Sequence, residues 1–183
     1  MSGAHGHVDH HGDNKGIALL ISVLALVLAL SETLGKSAQT TALNSNIEAA
    51  NLWAFFQAKT IRQTVLRTAA EQAETANPGD AMKKQIGKWK ETVQRYQSEP
   101  DTGEGREQLV ARVKVVEKNR DRSLAAYHHY EMASAAVQIA IVLASASIIT
   151  TMAALAWTAG ALGLVGVAFC AIGFWFPAAV HLF

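Results

Sequence analysis

The chain has one cysteine and three prolines, and beyond Glu131 it carries no Asp, Glu, Lys or Arg at all. A lone Cys170 excludes an intrachain disulfide framework and any metal set built on cysteine pairs; placed inside an apolar block, it reads as a small packing residue. No proline interrupts Lys36 to Asn77, so nothing there forces a helix to stop. There is no phosphate-cradling glycine loop, no Ser-His-Asp set and no His-Glu pair at ligand spacing, so no catalytic reading is supported and no cofactor is implied. The net charge is only +1, with the cations of the middle balanced by acids, so a nucleic-acid footprint is not indicated.

What is present is a polar middle between apolar flanks. Every Lys and Arg except Lys15 lies between Lys36 and Arg122, while half of the 183 residues are hydrophobic and gather in three blocks. These are 16–34, 132–157 and 158–183. A helix needs roughly 20 mainly apolar residues to cross a hydrocarbon core of about 30 Å, and each block reaches that length. Backbone groups in hydrocarbon must be satisfied within the segment, so the spans are expected to be helices. The first block is longer than a signal-peptide core, and Ser37 and Ala38 are the nearest small residues for cleavage, so it reads as a retained span. Flanking cations mark the cytoplasmic side of a span. Lys36 at one edge and Lys118, Arg120 and Arg122 near the other therefore predict a cytoplasmic middle, with the N-terminus outside.

The opening segment, 1–15, is rich in Gly and His and reads as a disordered, solvated tail. His5, His7, His10 and His11 with Asp9 and Asp13 could also hold zinc, copper or nickel loosely, although no fixed ligand spacing is present. Glu32 falls within a turn of the first block's inner edge, where a carboxylate can reach headgroups or water.

From Lys36 the first span is expected to continue as one long helix. Leu43, Ile47, Ala50, Ala54, Ala58, Ile61 and Val65 recur at spacings of three and four, an apolar stripe with room for close approach. Asn77-Pro78-Gly79-Asp80 should end it, with Gly79 as a left-handed cap and Asp80 capping the next helix. That second helix carries a heptad in Met82, Ile86, Trp89, Val93 and Tyr96, then Ser98 to Gly105 forms a loop. A third helix starts near Arg106 with Leu109, Val113 and Val116 on one side, and meets no breaker before the second span. Tyr127, His128, His129 and Tyr130 at the membrane edge read as an aromatic belt.

The segment NIEAANLWAFFQAKTIRQ, 46–63, resembles a bacterial membrane family known only as a domain of unknown function, DUF4337. The likeness extends to the His- and acid-containing head, the SETLGKSAQT segment and the paired last spans from QIAIVLASASI. It implies topology and a bacterial inner membrane, and no activity. Within the string, Trp53, Phe55 and Phe56 cannot all face one narrow seam of a helix. One aromatic is therefore expected against another helix or subunit, with Gln57, Lys59, Arg62 and Gln63 bonding across that contact or to lipid phosphates.

In the second block Ala136, Ala140 and Ala144 form a small-residue face extended by Ser147 and Thr151. In the third, Gly160, Gly163 and Gly166 do so with Cys170. Trp157, Trp175 and Phe176 suit interfacial positions, and Pro177 an inner end. These features together predict an all-α membrane protein of three spans with a cytoplasmic helical-hairpin or coiled-coil insert, 35–131, between the first and second. The expected role is a non-enzymatic scaffold or interaction protein in the lipid bilayer that forms a homo-oligomer, with Trp53, Phe56, Gln57, Lys59, Arg62, Gly163 and Gly166 at packing contacts. Two alternatives remain: a channel or transport accessory with Glu32, Gln138, Ser145, Ser147 and Thr150 on a shared polar axis, and a metal-capturing histidine tail.

Overall fold

The computed structural model describes residues 11–179, with side chains from residue 15. It has four helices and, among the described residues, no strand: α1 (His11–Thr75), α2 (Asp80–Gln97), α3 (Arg106–Thr150) and α4 (Ala153–Trp175). The all-α expectation therefore holds, and α1, α3 and α4 are each long and apolar enough to cross a membrane. Helix α1 already begins at His11, inside the stretch expected to be tail; His5, His7, Asp9 and His10 lie outside the described residues, as do the side chains of His11 and Asp13. The helices form two compact units, one of Met1–Thr41 with Arg122–Phe183 and one of Ala42–Asp121.

The first unit is an apolar three-helix bundle. Helix α1 turns Ile17, Ile21, Leu24 and Leu28 inward, at alternating spacings of four and three, and continues that face with Ser31 and Gly35. Helix α3 answers with Ala133, Val137, Ala140, Ala144 and Ser147, all buried. Helix α4 presents Ala159, Gly163, Gly166 and Gly173. Gly160, expected on this face, is off it, since a Cβ there would meet nothing within 4 Å, whereas one on Gly163 would strike Leu24 and one on Gly166 would strike Val137. The small residues thus let α4 approach both neighbours, which is how apolar helices associate where there is no water to expel. Outward, the bundle shows Leu19, Val23, Leu26, Ile139, Val142, Leu164 and Phe174.

Two sequence expectations are corrected here. The break between α3 and α4 falls at Thr151 and Met152, six residues before the expected boundary at Trp157/Thr158. Thr151 takes φ 55°, a left-handed conformation that a β-branched residue adopts at a cost, and neither Gly nor Pro marks the place. The aromatic belt is also revised. His129 and Tyr130 are buried, His129 stacked on Phe169 at 6.2 Å and Tyr130 against Gly35 and Gly173, while Tyr127 and His128 are half-buried.

The second unit packs the C-terminal part of α1 against α2 and the N-terminal part of α3. Leu52, Leu109 and Val113 form its buried apolar core, flanked by Phe55, Phe56 and Val116. Helix α2 contributes Ile86, with Trp89, Val93 and Tyr96 half-buried on the same side and Met82 exposed at its start. The turn after α1 uses Asn77, not Gly79, as the left-handed residue (φ 51°). Gly79 is the N-cap of α2, and Asp80, expected to cap, lies in the first turn beside Lys83.

The face that α1 buries in this unit is Ala42, Ala49, Leu52, Lys59, Gln63 and Ala70. The stripe picked out in the sequence lies on the opposite side of the helix. Its large members are open to solvent, Leu43 at 58%, Ile47 at 59%, Ile61 at 64% and Val65 at 61%, and Ala50, Ala54 and Ala58 between them are exposed as well.

Candidate functional site

The most elaborate side-chain constellation among the described residues is a polar layer in the second unit, where α1, the end of α2, the following loop and the start of α3 converge. At its centre Lys59 is only 5% exposed. Its ammonium lies 3.4 Å from Glu99 and 3.6 Å from Glu104, and over the rings of Phe55 (5.2 Å) and Tyr96 (5.7 Å). One turn on, Gln63 donates to the Val93 carbonyl (3.0 Å) and accepts from Arg106 (2.6 Å), whose Nη1 also donates to Gln97 (3.0 Å). The Arg106 guanidinium lies over Phe56 at 4.9 Å, and its buried Nε has no partner. Burial of a charge is tolerated only when it is paired and hydrogen-bonded, and two carboxylates with two ring faces meet that condition for Lys59.

This layer works as a clasp. Gln108 accepts from the Glu99 amide and donates to Ser98, which ties the loop to the first turn of α3. Gly105 makes the closure feasible, since a Cβ there would run into Gln108 and the backbone at Ser98 and Glu99. Sequence reasoning picked out Phe56, Lys59 and Gln63 from their place in the aromatic string but missed Gln97, Glu99, Glu104 and Arg106. Those four come from a loop and two helix ends, where no periodic pattern links them to α1.

The remaining residues singled out in the sequence are spread more widely. Trp53 is 38% exposed, packs edge-on to Phe56 at 5.5 Å, and donates its indole N–H to Glu117 at 3.1 Å, so its partner is α3 of the same chain. Gln57 and Arg62 point outward beside the exposed stripe. In the first unit Gly163 and Gly166 are at close helix contacts, as described above. Glu32 accepts from Gln138 at 3.3 Å on an exposed part of the bundle. Ser145 is exposed and bonds back to the Ile141 carbonyl, while Ser147 is buried and reaches Met152 O. At 100° per residue Ser147 lies nearly opposite Ser145, so Glu32, Gln138, Ser145, Ser147 and Thr150 do not fall on one face. Among the described residues no group of three or more His, Cys, Asp or Glu side chains converges as metal ligands would.

Beside Glu32 lies an open groove of about 310 Å³ between α1 and α3, lined in part by Ser31, Lys36, Tyr127, Glu131 and Ser134. The Ser31 and Ser134 hydroxyls share a hydrogen bond of 2.9 Å at its base. Glu131 has the Tyr127 hydroxyl at 3.5 Å and His128 Nδ1 at 3.7 Å.

No curated protein and no solved structure matches the chain. A family model described as a domain of unknown function, DUF4337, matches residues 13–176, and the chain therefore belongs to that family.

Proposed function

We propose that the protein is a multi-pass membrane scaffold without catalytic activity, which self-associates through the outward stripe of α1. In this reading α1, α3 and α4 each cross the bilayer, the N-terminus is outside, and residues 36–131 lie in the cytoplasm of a bacterial cell, at its inner membrane. One observation carries the self-association: in the second unit α1 carries apolar residues on two opposite sides, and its own chain covers only one of them. Surfaces of that kind mark interaction sites in folded proteins.

The stripe is suited to a second copy of itself. Ala50, Ala54 and Ala58 occupy its middle, with Leu43 and Ile47 before them and Ile61 and Val65 after. Two identical helices can therefore approach closely at the alanines while the larger side chains fill the space to either side, as a two-fold contact requires. Over about 33 Å of helix the contact is long and narrow.

Disulfide crosslinking tests the proposal. In a Cys170→Ser background, Ala54→Cys should yield a covalent dimer in native membranes under mild oxidation, whereas Ala49→Cys on the covered face should not. Absence of dimer from Ala50→Cys, Ala54→Cys and Ala58→Cys alike would leave a monomer.

A further inference from the structure

The groove beside Glu32 has the composition of a headgroup site. It lies where the apolar part of α1 ends, one turn past Leu30, and where α3 passes from charged residues to Ala133 and beyond. Both lining helices change from polar to apolar at this level, so in a bilayer the groove would stand at the boundary between hydrocarbon and headgroups. It brings two carboxylates, Glu32 and Glu131, to a cavity with a single lysine, Lys36.

Glu32 is the informative member. Its carboxylate sits at the edge of an apolar span, receives one neutral donor from Gln138, and has no ion-pair partner within 4 Å among the described residues. Lys36, one turn further along α1, is likewise unpaired by the same measure, although Glu followed by Lys four residues later is the favourable order for a helical ion pair. Both side chains line the groove, and they are not paired with one another. An occupant carrying both signs of charge would satisfy both residues.

We propose that this groove binds the headgroup of an amine-bearing zwitterionic phospholipid, of the phosphoethanolamine type. The primary ammonium donates to Glu32 and Glu131, and the phosphate accepts from Lys36, while the Tyr127 hydroxyl keeps its bond to Glu131. Charge-assisted hydrogen bonds of this kind are stronger than neutral ones, and a trimethylammonium group cannot make them because it has no N–H to donate. An anionic headgroup without an amine would bring its negative charge against two carboxylates and one lysine. The volume is at the small end for ligand pockets, which suits a headgroup whose acyl chains stay in the bilayer.

The inference rests on the reading that the first unit spans a membrane, and the test separates the two. Full-length protein is reconstituted into vesicles containing equal parts of phosphatidylethanolamine, phosphatidylcholine and phosphatidylglycerol with matched acyl chains. Flotation with the vesicles after an alkaline wash checks insertion, and failure there would overturn both readings. Protein that floats is extracted in mild detergent, and its retained lipids are measured by mass spectrometry. Phosphatidylethanolamine should be enriched over each of the others by about tenfold. Glu32→Gln with Glu131→Gln, near-isosteric changes, should abolish that enrichment, and Lys36→Gln should lower retention while keeping the preference for the amine. Equal retention of ethanolamine and choline lipids by the wild type, enrichment of phosphatidylglycerol, or a preference intact in the double variant would overturn the headgroup site in protein that does insert. The comparison of lipids on the wild-type chain stands even if a variant fails to fold.

Discussion

Single residues in α4 and its approach carry much of the packing logic, and glycine shows it in graded form. A Cβ on Gly166 would meet Val137 at 2.5 Å and the Ala133 carbonyl at 3.2 Å, and the latter is backbone that cannot swing aside. On Gly163 the obstacle is the tip of Leu24, which can change rotamer, and on Gly160 there is none. Alanine substitution should therefore destabilise the bundle most at Gly166, by about 1–3 kcal/mol, less at Gly163, and should be neutral or slightly stabilising at Gly160. Thermal unfolding in detergent, followed by helicity, would give this order, and equal effects at all three positions would contradict it. At Thr151 the expectation reverses: Thr151→Gly should raise stability by about 1 kcal/mol, because a left-handed φ costs a β-branched residue and not glycine.

At the level of elements, the clasp explains how a short α2 is held to α1. Its energetics depend on completeness. Glu99→Gln with Glu104→Gln removes both charges that face the Lys59 ammonium and strands a cation that is 5% exposed. Breaking one side of a buried pair is far more costly than replacing the whole pair by apolar groups. Glu104 is half-exposed, so the loss should fall below the ~3–5 kcal/mol of a fully buried pair. Adding Lys59→Met to the double variant should recover much of the stability, and failure of that rescue would show that the ammonium was never the problem. The indole of Trp53 belongs to the same unit. Because its partners Phe56 and Glu117 are in the same chain, Trp53→Ala should lower the melting temperature without changing the size of the assembly. The cost should be smaller than the ~3–5 kcal/mol of a buried aromatic, since the ring is partly exposed. By contrast, Ile47→Lys and Ile61→Lys on the outer stripe should shift the assembly toward monomer with little change in melting temperature at low protein concentration. Analytical ultracentrifugation in detergent separates the two patterns.

For the whole molecule, the membrane reading makes a directional prediction. Cysteines placed singly at Glu91 or Asp101, in the Cys170→Ser background, should resist an impermeant thiol reagent in intact spheroplasts and react after lysis. Labelling before lysis would place residues 36–131 outside and reverse the proposed orientation. The histidine tail is a separable question: removal of residues 2–14 should leave assembly size unchanged, and zinc retained stoichiometrically by the wild type alone would bring the metal reading forward.

Helical class, the breakers at 77–79 and the loop at 98–105 could be read from the chain because each depends on local chemistry. Apolar runs long enough for spans, the absence of proline between Lys36 and Asn77, and a Pro-Gly cluster act within a few residues of where they stand. Which side of α1 is covered could not be read in the same way. In 42–73 that helix repeats apolar or small residues on two opposite faces, so period alone leaves two phases, and the more hydrophobic one, Leu43 to Val65, is the one left exposed. The covered face contains Lys59 and Gln63, which look like surface residues until Glu99, Glu104, Arg106 and Gln97 arrive from other elements to pair with them. The α3–α4 break at Thr151 was hidden for a related reason: a left-handed threonine is locally unfavourable, so the residues at the turn do not announce it. Sequence by itself determined the elements, because hydrogen bonding and hydropathy within a helix are local; tertiary structure decided which faces meet, because burial of a charge or choice between two apolar faces depends on what the rest of the chain brings to them.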